Sequence, residues 1–175
     1  MAARRTSFHF PKDAAARLAA VGALTHIDAE SDVIRAALEA YDRLLDVVEA
    51  GWRIIVRDHA GNEWAYSPYR PFAYPGLKQV ALAEPAETKG KSFFFSGEAV
   101  DRLESIRERS YVKSHTDAIR VALTAYGELL RVDAAGDEIV VRDRDGGERL
   151  YNPHRPFPPV TVTAATQSQS VPEAV

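Results

Sequence analysis

The sequence predicts an α+β protein built from two copies of one small unit, each ordered strand, helix, helix and hairpin. Two observations support this. Residues 6–72 align with residues 91–157 without a gap, and 29 of the 67 aligned positions are identical, which indicates an internal repeat. Within each copy, the spacing of apolar residues changes from the alternation of a strand to a helical repeat and back.

The repeat sets the predicted domain limits. Residues 1–72 form the first unit with its hairpin (copy 1), and residues 91–157 form the second (copy 2). Residues 73–90 contain proline and glycine and are interpreted as a linker, whereas residues 158–175 are polar and short of core residues and are interpreted as a disordered tail.

Composition narrows the class of protein. Hydrophobic residues make up 46% of the 175 positions and charged residues 27%, as in soluble globular domains. No cysteine is present, which excludes disulfides and thiolate zinc sites and fits a cytoplasmic protein. We expect neither a secretory signal nor a membrane span, because no apolar run approaches about 20 residues. A net charge of −3 argues against a non-specific nucleic-acid coat but leaves room for a locally basic face.

The first strand of each copy alternates in polarity. In copy 1, Phe8 and Phe10 lie on one face, and Arg5, Ser7 and His9 lie on the other. The outward positions of copy 2 are Gly90, Ser92 and Phe94. Pro11 then suits the first turn of a helix.

Two helices are predicted next. Ala14, Leu18 and Val21 recur at helical spacing in the first. Ser31-Asp32 in copy 1 and Thr116-Asp117 in copy 2 each offer an N-cap with an acidic first turn for the second. That longer helix carries an apolar stripe and is expected to end at Gly51 in copy 1 and at Gly136 in copy 2. Its Tyr41 and Tyr126 are expected to fill the helix interface.

A hairpin closes each copy. In copy 1 it comprises residues 53–58, a type I turn through Gly61, and Glu63–Tyr66. Both copies end on Tyr-x-Pro-x-Arg-Pro-Phe, at residues 66–72 and 151–157. We favour packing arms that cover the core for these segments, with an interaction surface as the alternative.

The strand, the short helix and the capped second helix resemble the ribbon-helix-helix family, to which the Arc and methionine repressors belong. The resemblance rests on Ser31-Asp32-Val33-Ile34-Arg35-Ala36-Ala37-Leu38 and on Thr116-Asp117-Ala118-Ile119-Arg120-Val121-Ala122-Leu123. It covers about 45 residues of each copy and excludes the hairpins. It implies tandem ribbon-helix-helix units that form an intertwined pseudo-dimer, a layout similar to that of tandem accessory proteins of conjugative plasmids.

Physical reasoning supports pairing of the two units. One strand and two helices bury too little apolar area to stand alone, and a lone strand leaves its backbone groups unpaired. Because the linker keeps the second unit at roughly millimolar effective concentration, we favour pairing within one chain over pairing between chains.

The family resemblance implies that the paired strands form a ribbon that enters the DNA major groove. The implied base-reading residues are Arg5, Ser7, His9, Ser92 and Phe94. Arg5 suits a guanine edge, whereas Phe94 suits a thymine methyl group or packs elsewhere. The alternative for this face is an ordinary solvated strand surface.

The amino end of the second helix in each copy is the implied phosphate contact, because its free N–H groups and dipole favour an anion. The surroundings are basic near Thr116 and acidic near Ser31, where Asp28 and Glu30 lie. Arg35 and Arg120 match the family's Ile-Arg, and we favour an ion pair or a supporting role beneath the cap for them over contact with a base. The implied phosphate-binding residues are Arg4, Ser31, Asp32, Lys89, Lys91, Lys113, His115, Thr116 and Asp117.

These features predict a sequence-specific DNA-binding transcriptional regulator that acts as a repressor on double-stranded DNA. Higher oligomers on DNA and a protein partner stay open. The alternatives are an antitoxin-like protein, a plasmid or phage accessory DNA-binding protein, or a protein-interaction module of the same fold that has lost DNA binding. No histidine pair has metal-ligand spacing and no nucleophile–base grouping occurs, so we expect no enzyme activity, no metal and no cofactor.

Overall fold

The computed structural model describes residues 6–70, 72–78 and 91–155. Within them it is an α+β protein with four helices and two small antiparallel sheets. The elements are β1 (Thr6–Phe10), α1 (Lys12–Leu24), α2 (Glu30–Glu49), β2 (Arg53–Arg57), β3 (Glu63–Tyr66), a 3-10 turn (Pro75–Lys78), β4 (Lys91–Phe95), α3 (Gly97–Arg109), α4 (His115–Ala134), β5 (Glu138–Arg142) and β6 (Glu148–Tyr151). Arg4, Arg5, Lys89, Gly90 and the predicted tail lie outside the described residues.

The predicted order of strand, helix, helix and hairpin is confirmed in both copies. The first strands of the two copies pair: β1 and β4 form a two-stranded antiparallel sheet, here called the ribbon. Phe8 lies opposite Phe93 at its centre, Ser7 lies opposite Phe94, and His9 lies opposite Ser92.

The two hairpins join into one four-stranded sheet, with the strand order β3-β2-β5-β6. The contact between β2 and β5 places Ile55 opposite Val140 at the centre of the outer face. Both side chains are buried, although neither belongs to the main core cluster. Four charged side chains in the flanking rows link across this pair, and we call them the outer ring: Arg57, Glu63, Arg142 and Glu148.

The core is shared by both copies. The long helices α2 and α4 pack against each other, α1 packs mainly on α4, and α3 packs on both α2 and α4. Tyr41 and Tyr126 are buried between them, as expected. The Tyr41 hydroxyl donates a hydrogen bond to the Pro68 carbonyl oxygen at 3.1 Å, which ties the first aromatic-proline segment to the helices. Pro153 of the second segment is also buried, in agreement with packing arms.

The predicted N-caps are wrong by two residues. The helix α4 begins at His115, and its N-cap is Ser114, whose Oγ accepts a hydrogen bond from the Asp117 N–H at 3.1 Å. The helix α2 begins at Glu30 with Ala29 as its N-cap and no side-chain cap. Thr116 and Ser31 therefore lie inside the first helical turns, and neither caps its helix.

The predicted helix ends are confirmed. Gly51 has φ +77° and Gly136 has φ +81°, a left-handed conformation that glycine adopts without a Cβ clash. In copy 1 the Gly51 N–H bonds the Val48 carbonyl oxygen and the Trp52 N–H bonds the Val47 carbonyl oxygen, which is a Schellman motif.

The beginning of the predicted linker belongs to the packed structure. Tyr74 and Leu77 are buried. The Tyr74 ring contacts Trp64 edge-on at 4.9 Å between centroids and stacks on Phe72 at 5.6 Å. The Tyr74 hydroxyl also donates a hydrogen bond to Asp137 of copy 2. The segment around Tyr74 therefore links the hairpin of copy 1 to copy 2.

Candidate nucleic-acid interface

The outward face of the ribbon is made of four exposed side chains from the two paired strands. We call them the ribbon face: Ser7, His9, Ser92 and Phe94. Because side chains directly opposite one another share a face of an antiparallel pair, the four form a rectangle with its serines on one diagonal. The Phe94 ring is 69% exposed, unusual for an aromatic side chain. The sequence prediction of the outward positions is confirmed for these four residues.

The inward face of the ribbon is aromatic and holds the ribbon on the helices. The Phe8 ring meets Phe95 edge-on at 5.3 Å between centroids, and Phe10 meets Phe93 in the same way at 4.9 Å. Phe10 and Phe95 are buried. Edge-to-face pairs of this kind stabilise the fold beyond the burial of their apolar area. The inward aromatic side chains therefore anchor the ribbon to the helices beneath its exposed face.

The amino ends of the two long helices flank the ribbon. At one side the Phe8 ring contacts the His115 ring, the first residue of α4, at 5.4 Å between centroids. At the other side the Lys91 Nζ forms an ion pair with Glu30, the first residue of α2. Each strand is thus next to the long helix of the other copy. The arrangement brings the ribbon and two helix N-termini together at one end of the molecule.

The amino end of α4 offers hydrogen-bond donors and one free cation. A helix N-terminus leaves its first N–H groups without partners inside the helix, and Ser114 satisfies that of Asp117. Asp117 also pairs with Arg120 at 2.9 Å, as expected for the arginine. Lys113 is exposed and forms no ion pair with any described residue. Lys113 and the remaining N–H groups, including that of Thr116, are therefore available to an anion.

The His115 side chain is engaged by the protein. Its Nε2 lies 2.5 Å from Oε2 of Glu104. Hydrogen bonds from Arg107 and then His115 lower the pKa of Glu104 to about 2, so the carboxylate is charged over the physiological range. A phosphate would have to compete with Glu104 for this imidazole.

The amino end of α2 has a different charge. Asp28 is exposed beside it, and Asp32 in its first turn pairs with Arg35 at 2.5 Å. Lys91 neutralises Glu30 and is thereby occupied. Ser31 is half-buried. This end is less suited to a phosphate than the amino end of α4, which agrees with the charge asymmetry expected from the sequence.

Tyr111 is a further candidate that the sequence reasoning did not single out. It lies between α3 and α4, two residues before Lys113, and its side chain is 88% exposed. Its φ is +57°, which places a bulky residue in the left-handed region. The tyrosine hydroxyl is a common donor to DNA phosphates. The only sequence signal was its alignment with His26, which identifies no role.

Residues 6–70, 72–78 and 91–155 contain neither a candidate metal site nor a candidate membrane span. No group of three or more His, Cys, Asp or Glu side chains there is arranged to hold a metal ion. No helix there is long and apolar enough to cross a membrane.

Comparison of the chain with family models, with curated proteins and with solved structures finds no match.

Proposed function

We propose that this chain is a sequence-specific DNA-binding transcriptional regulator of the ribbon-helix-helix type, a repressor that inserts the ribbon into the major groove of double-stranded DNA in the cytoplasm. One observation carries the proposal: an anchored two-stranded ribbon has an exposed outward face, and helix N-termini flank it on both sides. A two-stranded ribbon fits a major groove about 12 Å wide.

The ribbon face has the chemistry of a base reader. The hydroxyls of Ser7 and Ser92 donate and accept, so they can bond several base edges. The His9 imidazole offers a donor or an acceptor. The Phe94 ring has no such group and suits the thymine methyl. Arg5, which the alternation predicts to continue this face toward a guanine, lies outside the described residues.

The phosphate contacts that we propose are concentrated at α4. Lys113 and the free N–H groups of the first turn would hold one phosphate group beside the ribbon. At α2, Asp28 would repel the same group. The contact with the DNA backbone should therefore be stronger on the α4 side of the ribbon than on the α2 side.

The exposure of Phe94 favours a second candidate, a protein-interaction module that has kept the fold without DNA binding. An exposed aromatic side chain on a face with no net charge also suits a protein partner. An antitoxin-like protein or a plasmid or phage accessory protein would share the DNA-binding ribbon, and would differ in what else the chain binds.

The first test measures binding of the full chain to a labelled random duplex at increasing salt concentration. A DNA-binding protein should lose affinity with a log–log slope of about −0.9 per phosphate neutralised. Selection of bound fragments from a genomic library should then yield a preferred sequence. A chain that shows no salt-dependent binding and selects no sequence would favour the protein-interaction candidate.

Matched variants then test which surface binds. Lys113→Ala should weaken binding about equally on all sequences and reduce the salt slope by about 1, because a phosphate contact carries no base information. Arg53→Ala removes one cation from an exposed position on β2 and should leave binding unchanged. His9→Ala should alter sequence preference. If Arg53→Ala abolishes binding and Lys113→Ala and His9→Ala have no effect, the proposed surface is wrong.

A further inference from the structure

Arg109, at the end of α3, connects copy 2 to copy 1 through three carboxylates of α2. Its Nη1 lies 2.6 Å from Asp42 Oδ1, its Nη2 lies 2.7 Å from Asp46 Oδ1, and its Nε lies 2.8 Å from Glu49 Oε1. The carboxylates recur at helical spacing on one side of α2, and we call them the acidic face (Asp42, Asp46 and Glu49). One guanidinium therefore uses three of its donor groups on the other copy.

The contact is partly shielded from water. The Arg109 side chain is only 20% exposed and that of Asp42 is 23% exposed. Burial raises the pKa of Asp42 above its ordinary value, although Arg109 beside it acts in the opposite direction. Charges removed from water in this way are stable only with partners, so the acidic face depends on the cation.

The same contact in the other half of the molecule has different residues. By the repeat, the counterpart of Arg109 is Leu24, and the counterparts of the acidic face are Gly127, Arg131 and Ala134. There α1 packs on α4. A Cβ added to Gly127 would lie 3.1 Å from Val21 Cγ2. The helices α1 and α4 are therefore closely packed here, with little room for a larger residue at position 127.

We infer that the two copies are complementary to each other and are not interchangeable, so that copy 1 accepts copy 2 and rejects a second copy 1. In a pair of two copies 1, Leu24 would meet the acidic face and remove the Arg109 cation from it, which leaves Arg43 of the same helix as the ion-pair partner of Asp46 and none at hydrogen-bond distance from Asp42 and Glu49 among the described residues. In addition, Asp42 would stand in the place of Gly127, against Val21. Both changes are unfavourable, the first by unpaired charge and the second by crowding.

A pair of two copies 2 fails for the opposite reason. Arg109 would then face Gly127, Arg131 and Ala134, which supply no carboxylate and add a second cation. Discrimination by unpaired charge against the wrong partner is a general route to specificity. The surface therefore fits one kind of partner, the unlike copy, in the same chain or in a second chain that exchanges copies with it.

Exchange of equivalent residues within the full chain tests this without altering its composition. The donor exchange is Leu24→Arg with Arg109→Leu. The acceptor exchange is Asp46→Arg, Glu49→Ala, Arg131→Asp and Ala134→Glu, and it keeps Asp42 and Gly127 because a Cβ at position 127 would crowd Val21. Each exchange alone breaks the match, and we expect it to lower Tm by on the order of 5–10 °C. Both exchanges together restore a complementary contact on the opposite side of the molecule, and should recover more than half of that loss.

Two results would overturn the inference. The first is a Tm of the variant with both exchanges that is no higher than the Tm of the variants with one exchange. The second is a donor exchange whose Tm equals that of the natural chain. A second measurement guards against partial exchanges that do not fold. In a double-mutant cycle of Arg109→Gln and Glu49→Gln, the loss of Tm should be smaller in the double variant than the sum of the two single losses. Additive losses would mean that the cluster does not link the copies.

Discussion

Ser7 lies directly opposite Phe94 across the ribbon, whereas the repeat makes Phe94 the counterpart of His9. The local two-fold axis passes through the pair of Phe8 and Phe93, and rotation about it exchanges Ser7 with Ser92 and His9 with Phe94. The ribbon face is therefore symmetric on one diagonal and asymmetric on the other. If the ribbon binds DNA as proposed, it would present different side chains to the two halves of the site.

The pairing of β1 with β4 predicts a specific cross-link within one chain. The chain has no cysteine, so Ser7→Cys with Phe94→Cys introduces only one pair. Directly opposite residues have Cβ atoms about 4.5–5.5 Å apart, close to disulfide geometry after small adjustments. We expect the oxidised variant to migrate as one chain on a non-reducing gel, and light scattering at low micromolar concentration to report one chain mass.

The matched control for the cross-link is Ser7→Cys with Ser92→Cys. These positions lie on the ribbon diagonal, about 7–8 Å apart by strand geometry, so they should stay reduced under the same conditions. A disulfide-linked dimer of two chains from the first variant would mean that the ribbons pair between chains, and the intramolecular arrangement would be wrong.

Tyr111 should be a position where glycine stabilises the fold. Its N–H bonds the Glu108 carbonyl oxygen and the next N–H bonds that of Arg107, so tyrosine occupies the left-handed position of a Schellman motif. A left-handed L-residue costs about 1–2 kcal/mol, and an exposed ring gives little packing in return. Tyr111→Gly should raise Tm by several degrees in thermal denaturation. If Tyr111 contacts DNA, the same variant should bind it less tightly.

Gly136 provides the opposite substitution. It occupies the corresponding position after α4 with φ +81°, and an added Cβ there meets nothing within 4 Å. Gly136→Ala should therefore lower Tm through backbone conformation alone. A lower Tm for Tyr111→Gly as well would show that the tyrosine ring stabilises the loop more than its conformation costs.

The outer ring predicts acid sensitivity of the four-stranded sheet. Hydrogen bonds from Arg57 and then Arg142 lower the pKa of Glu63 and of Glu148. A carboxylate whose pKa is lower in the folded state than in the unfolded chain stabilises the fold above its unfolded pKa, about 4.3 for glutamate, and loses that effect as pH falls toward the folded value. The Tm of the natural chain should therefore drop below about pH 4.3.

Variants identify the groups responsible. Glu63→Gln with Glu148→Gln should lower Tm at pH 7 and make its dependence on acid shallower, because the charged partners of Arg57 and Arg142 are gone. The matched control removes two exposed carboxylates of α3, by Glu98→Gln with Asp101→Asn. Equal acid dependence in the natural chain and in the ring variant would show that other carboxylates dominate.

The features predicted well from the sequence are those with local signals. Alternation located β1, and a glycine after an apolar stripe located the end of α2 at Gly51. Pairing between β2 and β5 was not predicted, because it joins residues far apart in the sequence and no local pattern selects that partner. Burial of Tyr74 was missed for the same reason, since its hydrogen-bond partner Asp137 lies 63 residues away.

The candidate site shows the same division. The outward positions Ser7 and Ser92 followed from alternation alone. The N-cap of α4 was misplaced because Ser114 and Thr116 are both acceptable caps; the Ser-x-x-Asp spacing of Ser114 and Asp117 is the signal that distinguishes them. The ion pair of Lys91 with Glu30 depends on the tertiary fold and has no sequence signature.

The asymmetric diagonal of the ribbon face predicts an asymmetric DNA site. In the proposed complex with DNA, His9 would supply a hydrogen-bonding group to one half-site, whereas Phe94 would offer only an apolar contact to the other. Phe94→His should make the two halves alike at these positions, and His9→Phe should do so with the other residue. We expect selection of bound duplexes to give unlike half-sites for the natural chain. Each variant should give half-sites that match at the base pair read by residues 9 and 94, with base pairs elsewhere unchanged.

Footprints on the selected sites provide the decisive measurement. A palindromic footprint of the natural chain, with equal loss at both half-sites after either substitution, would mean that two chains supply identical readers, and pairing of β1 with β4 within one chain would then not be the DNA-binding form.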